Sequence, residues 1–184
     1  MEDTFFRPHW TLRDRIAPTE LTPPRGYPLR GEVHDENAFA LGGVAGHAGL
    51  FSTASDLAVF AQMMLNGGEY NGVRILSDSA VALFTARTAG RESRALGWDM
   101  CVGGGSCGFY MGLRSYGHTG YTGTSLWIDP DQQMFVIVLT NWVHAAPSAR
   151  VAPIAVLADV RSDVADIATL AISAWATKAS LILR

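Results

Sequence analysis

The apolar residues of the chain change their spacing three times, and each change marks an element. Leu57, Phe60, Ala61, Met64 and Leu65 fall on one face of a 3.6-residue period, which predicts an amphipathic helix. Thr53 stands where a side-chain oxygen caps the first turn, and Asp56, three residues on, places a negative charge at the helix start. Asn66-Gly67-Gly68 ends it, because glycine tolerates the left-handed conformation that follows a helix. A shorter helix is expected from Ser77 to about Arg87, with Leu76 ahead of the cap and Val81 positioned to staple it. The period then shortens to that of strands: Arg114 to Thr119, Thr124 to Asp129 and Met134 to Thr140. Gly120-Tyr121-Thr122-Gly123 and Asp129-Pro130-Asp131 are the turns between them, short enough to require antiparallel neighbours. Phe135 to Leu139 is apolar at every position, so helices are expected on both faces of the sheet. Helical spacing returns in Val160, Val164, Ile167, Ala171 and Trp175, read as the face of an amphipathic helix lying on that sheet.

Residues 1–45 carry Pro, Gly, Arg and Thr without a sustained period and are read as mostly extended loop packed on a larger body; Arg87 to Gly108 is likewise loop-like. The expected fold class is α+β, a three-stranded antiparallel sheet with flanking helices. Residues 1–184 form a single domain, a loop and helical region over 1–90 followed by sheet and carboxy-terminal helix over 91–184. A chain of 184 residues that is 48% hydrophobic and 17% charged can bury a real core.

The net charge of −3, with Lys178 the only lysine, excludes the basic footprint of a nucleic-acid binder. Asp163 and Asp166 interrupt the apolar tail, so no membrane span is expected. The opening Met1-Glu2-Asp3-Thr4 is not a secretory signal, and the compartment stays open between periplasm and cytoplasm. Cys101 and Cys107 bracket a glycine-rich loop and admit three readings: a small-loop disulfide, two metal thiolates, or two unpaired small residues. The last is preferred, since one pair without further His or Cys is a weak signal.

Candidate chemistry concentrates in Gly117-His118-Thr119-Gly120-Tyr121-Thr122-Gly123-Thr124-Ser125, where glycine and hydroxyl residues alternate in place of bulky strand residues. Missing side chains let a ligand approach the backbone, although a glycine-rich hairpin with local hydroxyl bonds explains the same composition. His118-Thr119-Gly120, followed by Trp127-Ile128-Asp129-Pro130 and Val138-Leu139-Thr140-Asn141, resembles the third motif of the serine β-lactamase and penicillin-binding protein family. There a Lys/His-Thr/Ser-Gly triplet lies on the strand lining the active site. Phe39 to Leu65, with Gly42 to Ala54 and Asp56-Leu57, is similar to the segment leading into a helix in the branch nearest class C β-lactamases and their esterase relatives.

The resemblance implies an acyl-enzyme mechanism, in which a serine attacks a carbonyl, a base takes its proton and water releases the acyl group. It also implies that His118 and Thr119 face the substrate, that Gly120 permits close approach, and that the Tyr121 backbone N–H is one of two oxyanion donors. The family nucleophile lies in Ser-x-x-Lys, and no serine here has lysine three positions on; Lys178 is preceded at that spacing by Trp175. Tyr-x-Asn is absent as well. The expectation is therefore an incomplete domain: the carboxy-terminal part of a serine acyl-hydrolase for an ester or amide substrate, inactive until complemented by the missing segment. Such a domain exposes a sheet edge through which it could self-associate.

Histidine in place of lysine does not guarantee a fixed positive charge, since unperturbed histidine titrates near ~6.5 and lysine near ~10.4. This favours esterase-like or broad amide and ester hydrolysis over a dedicated penicillin-destroying enzyme. His47 reads either as a base or, preferably, as a hydrogen-bonded structural histidine. His34-Asp35-Glu36 with His47 lacks helical zinc spacing, so no metal is expected, and no cofactor. Two rival readings remain. One is a non-catalytic module that uses the cleft to bind a peptide, a cell-wall fragment or a partner chain. The other is an enzyme using Ser125 or Ser115 with His118.

Overall fold

A computed structural model describes residues 1–21, 25–90, 93–144 and 154–182. Two small antiparallel pairs come first: β1 (Phe5–Phe6) with β2 (Leu50–Phe51), and β3 (Glu69–Tyr70) with β4 (Val73–Arg74). The main sheet follows, made of β5 (Asp99–Met100), β6 (Tyr116–Thr119), β7 (Ser125–Asp129) and β8 (Met134–Val138) in the order β5-β6-β7-β8. It is antiparallel throughout, as the short turns require, but it has four strands where the sequence suggests three. The extra strand, β5, contributes only two residues, too few to display any period. β6 also starts two residues later than expected, because Ser115 N–H is used in a turn to the Gly112 carbonyl and Arg114 points outward to Asp131.

The amino-terminal region is more structured than a loop. A 3₁₀ turn spans Trp10–Arg15, and α1 (Glu36–Ala40) is capped by Asp35, whose carboxylate accepts the Ala38 N–H at 2.7 Å. Five residues are too few for a helical stripe to be read. The next helix, α2 (Ala54–Leu65), has the anticipated start: Thr53 Oγ1 accepts from Asp56 N–H at 3.2 Å. It stops at Asn66 because Gly67 and Gly68 take φ of 66° and 96°, and a Cβ on Gly68 would collide with the Leu76 carbonyl. α3 (Asp78–Thr85) is capped by Ser77 and ends slightly short of Arg87.

Side chains on the strands alternate between two cores. On one face Tyr116, Ile128 and Met100 pack with Ala61, Met63 and Met64 of α2 and Val81 of α3. On the other, Trp127, Met134 and Val136 pack with Ala165 of the long helix α4 (Ile154–Ile182) and with Cys101 and Cys107. Helices thus lie on both faces of β8, as its unbroken apolar run indicates. Ile128 has no exposed surface, and its burial contributes on the order of 2 kcal/mol.

Two expectations are corrected here. Cys101 and Cys107 form a disulfide, with Cα atoms 5.8 Å apart. Gly103, Gly104 and Gly105, all at positive φ, fold the loop back on itself and bring the two thiols together. The second correction concerns α4, which does not pack through Val160, Val164, Ile167 and Trp175. These are 41%, 39%, 67% and 73% exposed, whereas Arg161, Ala165 and Thr169 are buried. The neighbouring face of small residues lets the helix sit close to the disulfide loop, where Asp166 accepts the Phe109 and Tyr110 N–H groups at 2.6 and 3.0 Å. The spacing is helical as expected, but close approach selects the smaller face.

Burial pushes the Tyr116 phenol up to about 12. A raised value in the folded state means that the native chain holds this proton more tightly than the unfolded chain. Its contribution is complete below the unfolded value near ~10 and is lost as pH rises toward 12. Denaturant midpoints should therefore fall progressively above about pH 10, and Tyr116→Phe should flatten that decline. An equal alkaline decline in the variant would remove the phenol as its cause.

Candidate active site

The residues singled out in sequence gather where β6 runs into its turn. Gly117 is required by packing: a Cβ there would run into the Leu126 carbonyl and the Trp127 ring of β7. Beyond it, His118 is exposed, and its Nδ1 lies 2.8 Å from the Thr119 carbonyl. A carbonyl only accepts, so Nδ1 carries the proton and Nε2 is left for solvent or ligand. Thr119 pairs with Ser125 and is half-buried. The turn is closed by Gly123 N–H to the Gly120 carbonyl at 3.0 Å, and Gly120 N–H donates to the Thr124 carbonyl at 2.7 Å. Gly123 sits at φ 102°, the bulge position that follows such a turn in a hairpin.

The strand neighbouring β6 is short. β5 pairs with it only at Tyr116 and Gly117, so among the described residues the His118–Thr119 edge has no strand partner on that side. Tyr121 is 70% exposed, and its N–H is committed to no acceptor among the described residues. This edge and turn line a cleft of about 1320 Å³ whose other walls include His34, His47 and Thr53.

The amino-terminal region supplies the facing wall, including a contact that no motif signals. His34 stacks on the Tyr121 ring, with centroids 5.6 Å apart and planes at 22°, while its Nε2 lies 2.8 Å from Glu20 Oε2. His47 Nε2 lies 3.0 Å from Asp35 Oδ1. The Ala38 N–H, with His47 second, holds the Asp35 carboxyl below the usual range. His47 is thus hydrogen-bonded to the residue that caps α1. The histidines of the considered metal cluster turn to separate carboxylates, and among the described residues no group of three or more His, Cys, Asp or Glu is arranged to hold a metal.

Ser125 and Ser115 are 5% and 0% exposed, and the one proton-bearing nitrogen of His118 is turned to a carbonyl. Ser115 does not line the cleft, and Ser125 lines it almost wholly covered, which weighs against the reading built on them. Trp98 and Trp127 are packing groups: Trp98 meets Tyr116 edge-on, and Trp127 is buried. Sequence reasoning also passed over Arg161, which reaches from α4 to the turn; its signal was the buried i, i+4, i+8 series Arg161, Ala165, Thr169.

Among the described residues, no helix is long and apolar enough to cross a membrane. The family model described as Beta-lactamase matches residues 1–161. Proteins named "Putative D-alanyl-D-alanine carboxypeptidase" from Salmonella paratyphi B, Salmonella newport and Salmonella heidelberg are each 45% identical over 123 residues, covering 64% of this chain. The match covers 28% of each relative, so the chain spans well under a third of the length of the curated relatives it matches. With most of its length matched by that model, the chain belongs to the β-lactamase family of serine hydrolases.

Proposed function

We propose that this chain forms the carbonyl-binding wall of a serine acyl-hydrolase site acting on an ester or amide, with the nucleophile supplied from sequence outside these 184 residues. The open His118–Thr119 edge, continuing into the uncommitted Tyr121 N–H, carries the reading. An extended substrate can pair with a free strand edge through its own backbone. Its scissile carbonyl then lies near Tyr121 N–H, which stabilises the oxyanion as a serine adds. Gly120 keeps that approach open, and the exposed His118 offers Nε2 to a substrate, as an acceptor for a hydroxyl or, when the ring is protonated, as a donor to a carboxylate. The carboxypeptidase name of the Salmonella relatives makes a peptide ending in a free carboxylate the preferred substrate class. The Cys101–Cys107 bridge fits an oxidising compartment.

Alone, the chain has no Ser-x-x-Lys and should form no acyl-enzyme. Intact mass after incubation with a fluorophosphonate or a labelled penicillin is expected to be unchanged. Co-expression with the upstream region of a Salmonella relative should restore a single adduct on the upstream partner. A stoichiometric adduct on the isolated chain would overturn the assignment. Saturable peptide binding without any adduct in either sample would instead favour the non-catalytic module, for which the missing nucleophile motif is the supporting observation.

A further inference from the structure

Among the described residues, Arg161 is the one charged group on the buried face of α4, and it is only 9% exposed. Burial lowers its pKa, so the chain bears a desolvation cost to keep it there. Among the described residues no carboxylate pairs with it. Its guanidinium instead donates to two backbone carbonyls of the turn: Nη2 to Gly120 at 2.8 Å and Nε to Gly123 at 3.0 Å. The third carbonyl of that turn, Thr122, accepts the Trp142 N–H at 2.9 Å. Three of the four carbonyls of the turn are thus tied off on the protein side, and the Tyr121 N–H is left unused among the described residues.

We infer that Arg161 is a positioning residue for the oxyanion donor, holding the Gly120–Tyr121 peptide plane so that the Tyr121 N–H faces the cleft. The inference rests on the function proposed above. Its physical basis is the trans peptide, in which carbonyl and N–H of one unit point in opposite directions. Gly120 C=O and Tyr121 N–H belong to the same unit. Anchoring that carbonyl toward α4 therefore turns the N–H away from α4, and no residue of α4 lines the cleft. Without the anchor only the Gly123 N–H still holds that carbonyl, and a turn flanked by Gly120 and Gly123 can flip this plane at little steric cost, so that the Tyr121 N–H is lost to the site. A cation on the carbonyl also polarises the peptide, which makes its N–H a stronger donor.

The test needs no substrate and uses the chain itself. In wild type, the Tyr121 and Thr122 amide resonances should be sharp. In Arg161→Met, which keeps the apolar stem, both should broaden by μs–ms exchange, and the Gly120 and Gly123 carbonyl shifts should move upfield. Amides at Trp127 and Ile128 should stay as they are, and Arg161→Lys should recover part of the Gly120 change. A folded Arg161→Met chain with unmoved Gly120 carbonyl and Tyr121 amide signals would overturn the inference. Should that variant not fold, the wild-type side chain decides. A slowly exchanging Arg161 Nε–H with resolved Nη protons supports the clamp, and a freely rotating guanidinium refutes it. The oxyanion role of Tyr121 is decided separately by the proline substitution described next.

Discussion

Tyr121→Pro is expected to lower kcat by roughly a hundredfold to a thousandfold, with little change in KM, in a chimera where this chain replaces the matching stretch of a Salmonella relative. Proline has no N–H, so the substitution deletes the proposed donor and nothing else from the backbone. The position suits it. Tyr121 is the second residue of the Gly120–Gly123 turn and has negative φ, where a proline ring is well accommodated. Gly120 before it tolerates the extended conformation that proline imposes on its predecessor. The ring of Tyr121 is lost at the same time, along with its stack on His34, so Tyr121→Ala is the necessary comparison: it removes the ring and keeps the N–H. The alanine variant should retain most of the activity on a small neutral ester. If proline and alanine prove equal in kcat, the N–H does not stabilise the transition state and the oxyanion assignment fails.

What sequence could and could not reveal follows from how each feature is encoded. α2 and α3 are local: a capping hydroxyl, a stripe and a stop lie within fifteen residues, so their limits can be read directly. The hairpins of β6, β7 and β8 are local too, set by Gly120–Gly123 and by Asp129-Pro130-Asp131. β5 was invisible because its pairing to Tyr116 and Gly117 is a long-range event involving two residues. The disulfide depended on a loop conformation that only a run of positive-φ glycines permits. For α4 the period gave the helix but not the packed face. Apolarity marked Val160, Val164 and Ile167, while the available distance to the disulfide loop chose Ala165 and Thr169.

The site divides in the same way. His118, Thr119, Gly120 and Tyr121 are contiguous and drew attention by an unusual composition. His34, held by Glu20, and Arg161 reach the same turn from distant elements and carry no motif. Both α4 and the amino-terminal wall therefore act on one β-turn, which explains how a loop of two glycines, a tyrosine and a threonine can be held in a single conformation.

Asp129 has the largest expected effect on stability. It is fully buried at the end of β7, and its carboxylate accepts four donors: Gly112 N–H at 2.7 Å, Asp131 N–H at 2.9 Å, Gln132 N–H at 3.1 Å and the Gln132 side-chain amide at 3.0 Å. These bonds join the start of the 130–132 turn to the segment that leads into β6. Asp129→Ala leaves the three backbone donors without their acceptor, while the Gln132 side-chain amide keeps its bond to the Tyr110 carbonyl, and each unsatisfied group bears its own desolvation penalty. The summed loss should be about 3 kcal/mol or more, equivalent to roughly 6–12 °C in Tm for a chain of this size. Asp129→Asn keeps the volume but turns an NH₂ toward existing donors, so it should lose a comparable amount rather than rescue. Urea unfolding followed by tryptophan fluorescence measures both. Because Asp129 lies at the end of β7 remote from the Gly120–Gly123 turn, the Tyr121 and Thr122 amide signals of the folded variant should stay at their wild-type positions. A loss below about 1 kcal/mol would mean that water or a shifted turn replaces the carboxylate, and that Asp129 is not the tie between these two segments.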